Sequence, residues 1–441
     1  MRRFVPAFLL IIPVFAASPE SLQLSLKKAV EIAVAPDGAT RVKLAEEELR
    51  QARARANEAR AALLPNVDGS LTYQSETQNL KAFGFNIVLP PTIPISIPTF
   101  VGPFDVLDAR ASASQSVFDL SSILRYRGAR VLVEASKLDR EATNRQVTDQ
   151  VARAYLAGLR ADAALETAHA NVDLSEALLR LAESQKDAGT GTGIEVTRAQ
   201  VQLANYRQLL LVAENQRARA HLQLLKTMGL RLETPVELTD KLSYTPTAAV
   251  EEAKAVETAR RNRSELKAQL EREHNARLGY DATRFERIPT LGAFASYGAI
   301  GPGIDGALPT RAVGGSLRVP VFDGGRRDAR RVESASAMRE QQIRTADLRD
   351  QIGLDVRLAL DTLHSADAQV KTAEEGMQLS EQELAQAERR YKAGVSNSVE
   401  LTDAQTRLSR ARDNRIAALY NHNLARIDLG TAMGAIETMI P

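Results

Sequence analysis

The sequence has 441 residues, a formal net charge of +2, 25% charged and 5% aromatic residues, and neither cysteine nor tryptophan. Without cysteine there is no disulfide, thiolate metal site, cysteine nucleophile or lipidated N-terminal cysteine, and the interspersed charges give no reason to expect nucleic acid as a partner. Alanine, leucine, arginine, glutamate and glutamine dominate, which is typical of long helices packed on each other.

The N-terminus has the pattern of a secretory signal peptide, which we place at residues 1–17. Two arginines precede an apolar run from Phe4 to Phe15, and small residues at 16–18 provide a cleavage site. The mature protein is therefore expected outside the cytoplasm. No later apolar run approaches the roughly 20 residues of a membrane helix, so a membrane-spanning part would consist of strands.

The second half of the chain repeats the first half. Residues 188–200 match residues 393–405 at an offset of 205, and the dipeptide Met228-Gly229 recurs at the same offset. This period is far longer than the roughly 20 to 50 residues of a solenoid repeat, which indicates a duplicated unit. The predicted organisation is a signal peptide at 1–17, a first repeat at 18–230, a linker or equatorial segment at 231–247, a second repeat at 248–434 and a C-terminal tail at 435–441.

Long helices are predicted where apolar residues recur in alternating steps of three and four, the spacing of coiled coils. Alanine fills about half of these positions, which allows close approach of helix backbones. Two helices of about 70 residues would each extend roughly 105 Å, and two of the shorter helices placed end to end would match one of them. The predicted helices lie near residues 26–62, 119–188, 193–229, 248–286, 323–392 and 397–433.

Between the helices, four segments alternate apolar and polar residues with a period of two. This pattern fits transmembrane strands of about ten residues, and it also fits half-buried hairpins of a soluble protein. Asp108, Arg110 and Arg318 all fall on the polar face, where a water-filled lumen would receive them, and this placement favours membrane strands. The predicted strands lie near residues 67–73, 107–117, 291–297 and 313–321.

The connections of the predicted strands are of two kinds. Loops rich in proline and glycine, at 76–106 and 301–309, join each strand pair at its distal end. At the other end, Pro65 and Pro289 stand where a helix gives way to a strand, and Pro320 follows the last strand. Four strands leave unpaired edges in lipid, so copies must assemble. Two copies would supply eight strands and three would supply twelve, and the pattern does not choose between these numbers.

Three motifs carry a resemblance to a known family. They are ARAALLP at 59–65, VPVFDGG at 319–325, and YKAG at 391–394 followed by ELTDAQ at 400–405. Together with the repeated order of helix, strand, strand, long helix and shorter helix, these motifs make the chain resemble the TolC family of outer-membrane efflux channels.

The resemblance implies a mainly α fold with transmembrane β and internal duplication. Each chain of a homotrimer would add four strands to a twelve-stranded β-barrel in the outer membrane of a diderm bacterium, and coiled-coil helices would form a tunnel through the periplasm. The implied function is a passive export duct of a tripartite efflux or type I secretion system, gated at its helical tips. The implied partners are outer-membrane lipid, a periplasmic adaptor and an inner-membrane pump of the RND, ABC or MFS type. The alternative function is that of a periplasmic adaptor-like or structural coiled-coil protein with soluble β-hairpins.

Two glycine-bearing turns between helices are the predicted tips. Glycine suits a tight reversal between antiparallel helices, and this structural role explains the turns without any partner. A phosphate loop at 189–193 is excluded because no strand precedes it and no Gly-Lys-Ser/Thr follows it. By resemblance, the adaptor would contact Gly189, Thr190, Gly191, Gly394, Val395 and Ser396.

Acidic residues just after the tips are the predicted periplasmic constriction. Glu400 and Asp403 share one helix face, and the resemblance places acidic residues of this region at the pore. Glu195 is the counterpart of Glu400 in the first repeat, but Arg198 stands in the place of Asp403, which makes the second hairpin the stronger pore-lining candidate. The alternative is that these carboxylates only stabilise the start of their helix through its dipole.

In three copies, these two carboxylates would form two rings of three negative charges, which favour cations at a narrow pore. The best-known member of the family also has an arginine just after the tip glycine that helps to hold the closed state. The matching position here is Ser396.

No residue pattern indicates catalysis, a cofactor or a metal site. The histidines occur singly on predicted helices without metal-ligand spacing, and we expect them to be solvated or to face the tunnel. They are His169, His221, His274, His364 and His422.

Overall fold

The fold is known from a computed structural model, which describes residues 21–84, 99–247 and 250–439. The predicted signal peptide and residues 85–98 of the predicted first loop lie outside the described residues. The helices are α1 (Leu26–Val34), α2 (Thr40–Ala61), α3 (Leu120–Asp187), α4 (Gly193–Met228), α5 (Glu252–Asn262), α6 (Ser264–Arg284), α7 (Arg326–Lys392) and α8 (Ser398–Ala432). The strands are β1 (Leu22–Leu24), β2 (Asn66–Asn79), β3 (Phe100–Phe118), β4 (Val236–Leu238), β5 (Thr290–Gly301) and β6 (Leu308–Arg318).

The chain divides into two compact units, each built from parts of both repeats. The helical unit contains the described residues up to Glu46, together with Arg140–Ser264 and the residues from Arg349 onward. The sheet unit contains Glu47–Asp139 and Glu265–Leu348. Both predicted tips belong to the helical unit, and all four predicted membrane strands belong to the sheet unit.

The duplication is visible in the lengths of the helices. The long helices α3 and α7 have 68 and 67 residues, and their partners α4 and α8 have 36 and 35 residues. These lengths agree with the predicted values of about 70 and 37. Among the described residues, no helix combines the length and the apolar character that crossing a bilayer requires.

Two of the predicted helices are interrupted, so the prediction of single helices at 26–62 and 248–286 is wrong. The first divides into α1 and α2 because Ala35 precedes Pro36 and adopts an extended ψ of 153°, as proline favours in the residue before it. The second divides into α5 and α6 at Arg263, with ψ of 115°. There the free carbonyl of Asn262 accepts a hydrogen bond from Arg145 Nη1 at 2.7 Å.

The sheet unit contains a four-stranded antiparallel sheet in the order β2-β3-β5-β6. Arg110 Nε donates to Asp108 Oδ1 at 2.8 Å, and the two side chains share a face as the alternation predicted. Part of the predicted loop at 76–106 is strand, because β2 and β3 reach to 79 and back to 100. At the other end, β6 stops at Arg318, short of the predicted 321, and Pro320 has no N–H to continue the ladder.

Large apolar side chains of the sheet are exposed on its surface. Val313 is 83% exposed and Leu71 is 74% exposed. Others with more than half of their area exposed are Val67, Tyr73, Tyr297, Leu308 and Leu317. A sheet that exposes this much apolar surface is expected to meet a membrane or another protein surface.

The core of the helical unit forms around Tyr155, which is fully buried. Its hydroxyl donates to the carbonyl of Leu24 at 2.8 Å, and Asp240 Oδ2 lies at the same distance from it. Burial raises the pKa of this tyrosine. Strand β1 pairs in parallel with β4, so the start of the described chain is held against the segment between the two repeats.

The expectation that all histidines are solvated or face a tunnel is wrong for His422. Its side chain is fully buried and packs on Tyr244, with 4.8 Å between the ring centroids. Nε2 lies 3.0 Å from Asp367 Oδ1, off the direction of a hydrogen bond. A histidine on an apolar seam position of a helix therefore belongs to the core here.

Candidate functional site

The first predicted tip is the five-residue turn between α3 and α4. Gly189 adopts a left-handed φ of 72°, which favours glycine because a Cβ would be strained there. The N–H groups of Thr190 and Gly191 both donate to the carbonyl of Gln185 at 2.9 Å, which satisfies the end of α3. The three predicted tip residues therefore lie together in one helix-terminating turn.

The second predicted tip, between α7 and α8, has the same construction. Gly394 adopts φ of 71°, and the N–H of Val395 donates to the carbonyl of Arg390 at 3.1 Å. Ser396 follows in the same turn. Asn397 then caps α8, because its Oδ1 accepts hydrogen bonds from the N–H groups of residues 399 and 400 at 3.1 and 3.2 Å.

Glu195 in the first hairpin is directed to its own backbone. Its Oε2 accepts a hydrogen bond from the N–H of Thr192 at 2.9 Å. Thr192 is the residue immediately before α4, so this contact satisfies an N–H at the start of the helix. Glu195, which is predicted to lie at the constriction, therefore has a local structural role at the start of α4.

Glu400, the counterpart in the second hairpin, is held by side chains. Arg390 Nε lies 3.0 Å from Glu400 Oε1, and the hydroxyl of Ser396 donates to Oε2. The carboxylate stays 44% exposed. The serine at the position where the resemblance led us to look for an arginine therefore binds this carboxylate, and the arginine comes from α7.

Asp403 is also paired with an arginine of its own chain. Arg407 Nη2 lies 2.5 Å from Asp403 Oδ2, and Nη1 of the same guanidinium lies 2.7 Å from Glu383 Oε1 on α7. Asp403 is 57% exposed. Two acidic side chains and one arginine thus form a short network across the start of α8 and the facing turn of α7.

The partners of the second hairpin are absent at the equivalent positions of the first. The residues 205 positions before Arg390, Ser396 and Arg407 are Gln185, Gly191 and Gln202. None of these replacements can form an ion pair with a carboxylate. The acidic network is therefore specific to the second repeat.

Polar side chains join the two hairpins to each other within the helical unit. Gln185 Nε2 donates to the carbonyl of Tyr391 at 3.2 Å. Arg198, which replaces the aspartate of the second repeat, reaches Ser398 Oγ at 3.4 Å. Gln405 donates to Ser175 in a buried contact between α8 and α3. Arg198, at whose position the two hairpins differ in charge, therefore also connects the first hairpin to the second.

An apolar cluster lies beneath these contacts. Tyr391 is only 4% exposed, and among the described residues its hydroxyl has no hydrogen-bond partner. Burial and the charge of Glu195 both raise the pKa of this tyrosine. The other buried members of the cluster are Leu178, Leu384, Ala387, Leu401, Ala404 and Leu408.

The arginine partners are the site residues that sequence reasoning missed. Arg407 could have been found, because it lies four residues after Asp403 on the same helix face. Arg390 could not, since its contact with Glu400 depends on how the turn brings α7 beside α8. The predicted junction prolines lie where helices and strands meet: Pro65 between α2 and β2, Pro289 before β5, and Pro320 between β6 and α7.

A family model described as outer membrane efflux protein matches the chain at residues 38–230 and again at residues 255–435. Relatives of known function are similar over most of the chain. The pyoverdine export outer membrane protein OpmQ of Pseudomonas putida is 26% identical over 95% of this chain and 86% of its own length. The alkaline protease secretion protein AprF of Pseudomonas aeruginosa is 22% identical over 76% of this chain and 71% of its own length.

Solved structures share the fold. The CmeC outer membrane channel of Campylobacter jejuni superposes with a TM-score of 0.79 at 16% identity, covering 93% of this chain and 85% of CmeC. The outer membrane protein VceC of Vibrio cholerae superposes with a TM-score of 0.75 at 17% identity, covering 93% of this chain and 96% of VceC. At these identities the likeness establishes the fold.

Proposed function

Because this chain belongs to the outer membrane efflux protein family, we propose that it is the outer-membrane duct of a tripartite efflux or type I secretion system. The observation that carries the proposal is the double match of that family model to the chain. The four-stranded sheet with its exposed apolar residues is consistent with it. Substrate would pass through without any chemical step. By their names, OpmQ exports pyoverdine and AprF serves the secretion of alkaline protease.

The working form would be a homotrimer. Within the described residues, β2 and β6 each pair with a strand on one side only. Unpaired edges are unfavourable in lipid, so β2 of one copy would pair with β6 of the next. Three copies would then contribute twelve strands, as the resemblance implies.

The periplasmic constriction would be formed by Glu400 and Asp403 of three second hairpins. Each carboxylate has an arginine partner in its own chain, so the charge of the rings is partly compensated. Movement of α7 against α8 on opening would separate Arg390 from Glu400 and expose more negative charge to the pore. The first hairpin, with Glu195 bound to its own backbone, would contribute less.

The tips themselves would meet a periplasmic adaptor that connects the duct to an inner-membrane pump. Gly189, Thr190, Gly394 and Val395 are exposed and lie in turns whose backbone is already satisfied. A partner can therefore bind them without unfolding a helix end.

The test of the duct is membrane fractionation followed by electrical recording. We expect the protein to remain with outer membranes after a salt wash, to migrate as a heat-sensitive trimer in gels, and to open discrete channels in planar bilayers. Release by salt, with no channels from the purified protein, would support the adaptor-like or structural alternative.

The tip assignment has a separate test, because the chain contains no cysteine to interfere with labelling. Cysteine introduced by Val395→Cys or Thr190→Cys should be crosslinked to a co-produced adaptor by a short bifunctional reagent. The matched control is Ala218→Cys, an exposed position in the C-terminal half of α4. Equal crosslinking from the control position would contradict docking at the tips.

A further inference from the structure

The four places where helices meet the sheet form one surface of the sheet unit. They lie at the same end of the sheet, because Asn66 pairs with Ser114, Phe118 with Leu291, and Thr290 with Arg318. We call this the junction surface. It consists of residues 53–65, 119–130, 281–289 and 318–331.

Positive charge is concentrated on the junction surface. Its segments contain thirteen arginines, six carboxylates and no lysine, a net charge of +7 in a chain whose total is +2. The arginines are distributed over four separate stretches of sequence. Folding brings these stretches together at one end of the sheet, which the sequence alone does not show.

Most of these arginines have no acidic partner within the part of the chain that the structure describes. Four are paired: Arg125 and Arg330 with Glu286, Arg287 with Asp328, and Arg327 with Asp323. The other nine have no ion pair with a carboxylate among the described residues. Six exposed members of this group lie near the strand ends, at Arg60, Arg127, Arg284, Arg318, Arg326 and Arg331.

Exposed apolar side chains accompany the arginines. Val321 is 91% exposed and Phe322 is 87% exposed, in the connection between Arg318 and Arg326. Leu64 and Phe118 are exposed at two of the other three junctions. Apolar groups beside guanidinium groups suit the boundary between acyl chains and headgroups, since each type of group then meets a matching part of the lipid.

We propose that the junction surface binds the phosphate groups of anionic phospholipids, such as phosphatidylglycerol, in the leaflet next to the helices. Arginine suits this role better than lysine because its planar guanidinium donates two parallel hydrogen bonds to phosphate. The adjoining apolar side chains favour a lipid over free phosphate, which has no acyl chain. The inference rests on the proposed function in one respect, namely that the sheet lies in the outer membrane.

The test is native mass spectrometry of the full-length trimer in neutral detergent, offered equal amounts of phosphatidylglycerol and phosphatidylcholine. We expect the wild type to retain phosphatidylglycerol preferentially. The variant Arg60→Gln/Arg326→Gln/Arg331→Gln should lose about tenfold or more of that preference, since each basic residue near a membrane surface contributes to anionic lipid binding. The matched control is Arg219→Gln/Arg349→Gln/Arg410→Gln, which removes three exposed arginines of the helical unit. Like the first three, they form no ion pair with any described carboxylate.

Three results would overturn the proposal. One is equal retention of both lipids by the wild type, and another is an equal loss in the control variant. The third is an unchanged preference for phosphatidylglycerol in the variant Arg60→Gln/Arg326→Gln/Arg331→Gln. Membrane fractionation of the same proteins distinguishes failure of this inference from failure of the proposed function. A protein that stays in outer membranes but shows no lipid preference contradicts only this inference. Release by a salt wash contradicts the proposed function as well.

Discussion

The two hairpin tips share a backbone and differ in what their carboxylates bind. Gly189 and Gly394 have φ of 72° and 71° in turns of the same construction. Glu195 and Glu400 stand at equivalent positions, yet Glu195 binds its own backbone whereas Glu400 binds Arg390. The two repeats share the turn, whereas within the described residues the acidic network is found in the second repeat only. We therefore propose the second hairpin as the gate.

A second set of equivalent positions also differs between the two repeats in what its charged side chains contact. In the first repeat, Asp162 contacts both an arginine and a histidine, at 2.6 and 3.1 Å. In the second repeat the arginine and the histidine have exchanged places along the helix. The two sets are Asp162, Arg217 and His221 in the first repeat, and Asp367, His422 and Arg426 in the second, each residue displaced by 205.

This exchange changes the electrostatics of the two sites. Burial alone would raise the pKa of Asp162, but hydrogen bonds and charge from His221 and Arg217 outweigh it, and the pKa lies below its usual range. In the second repeat, burial lowers the pKa of His422, although the charge of Asp367 acts in the opposite direction. Only the second site therefore contains a fully buried histidine, and the pKa of that histidine lies below its ordinary value.

The largest expected difference between the tips comes from Tyr391, whose counterpart in the first hairpin is the exposed Lys186. Tyr391→Ala should destabilise the tip by about 3 kcal/mol because it empties a buried aromatic site. Lys186→Ala should change stability by no more than about 0.5 kcal/mol. Hydrogen exchange at the start of α8 measures the local opening. Tyr391→Phe is the control and should be nearly neutral, since the hydroxyl has no partner among the described residues; equal losses in the Ala and Phe variants would contradict this packing role.

Substitution of the two turn glycines tests whether the turns have the same backbone conformation in solution. Gly189→Ala and Gly394→Ala should each cost about 1–2 kcal/mol, because a left-handed residue with a Cβ is strained, while no atom of the described residues crowds either position. Exchange rates of the turn amides would report the cost. A loss at one glycine and none at the other would show that only one turn keeps this geometry in solution.

The starts of α4 and α8 should respond differently to substitution of their capping residues. Asn397→Ala should cost about 1 kcal/mol at the start of α8, because two N–H groups lose their acceptor. At α4, Glu195→Gln should accelerate exchange of the Thr192 amide, whereas Glu400→Gln should leave the start of α8 unchanged. Exchange measured by mass spectrometry or NMR distinguishes these cases. A loss of protection in α8 on Glu400→Gln would mean that both glutamates are caps.

The buried histidine should make the stability of the second repeat depend on pH. Its pKa is lowered in the folded chain, so its contribution is present above the ordinary value of about 6.5 and is lost as the pH falls toward the lowered value. The groups that face it are Asp367, Tyr244 and Arg426. We expect thermal stability to fall on mild acidification, and His422→Gln to flatten that dependence. The control is the exposed His364→Gln, and an equally flattened profile in that variant would contradict the assignment.

Much of the fold could be predicted because its signals are periodic and repeated. Seam residues every three or four positions gave the long helices, and period-two alternation gave the four strands. The helix breaks at Ala35 and Arg263 were not predicted, although Pro36 is a local sequence signal for the first one. The pairing of β1 with β4 was not predictable, since three-residue strands more than 200 residues apart carry no local signal.

The candidate site was predictable only in part, for the same physical reason. Turns are encoded locally, so Gly189 and Gly394 could be found from the sequence. The arginine that binds Glu400 lies on the other side of a turn, and its contact is a tertiary one. The buried state of His422 likewise depends on Tyr244, which comes from the segment between the repeats.

The assignment of the gate to the second hairpin is tested most directly by ion selectivity of single channels in planar bilayers under a salt gradient. The variant Glu400→Gln/Asp403→Gln should shift the reversal potential toward lower cation selectivity, because it removes six negative charges from a trimer. Glu195→Gln removes three and should shift it far less. A shift of equal size for Glu195→Gln, or an unchanged reversal potential in the double variant, would contradict the account.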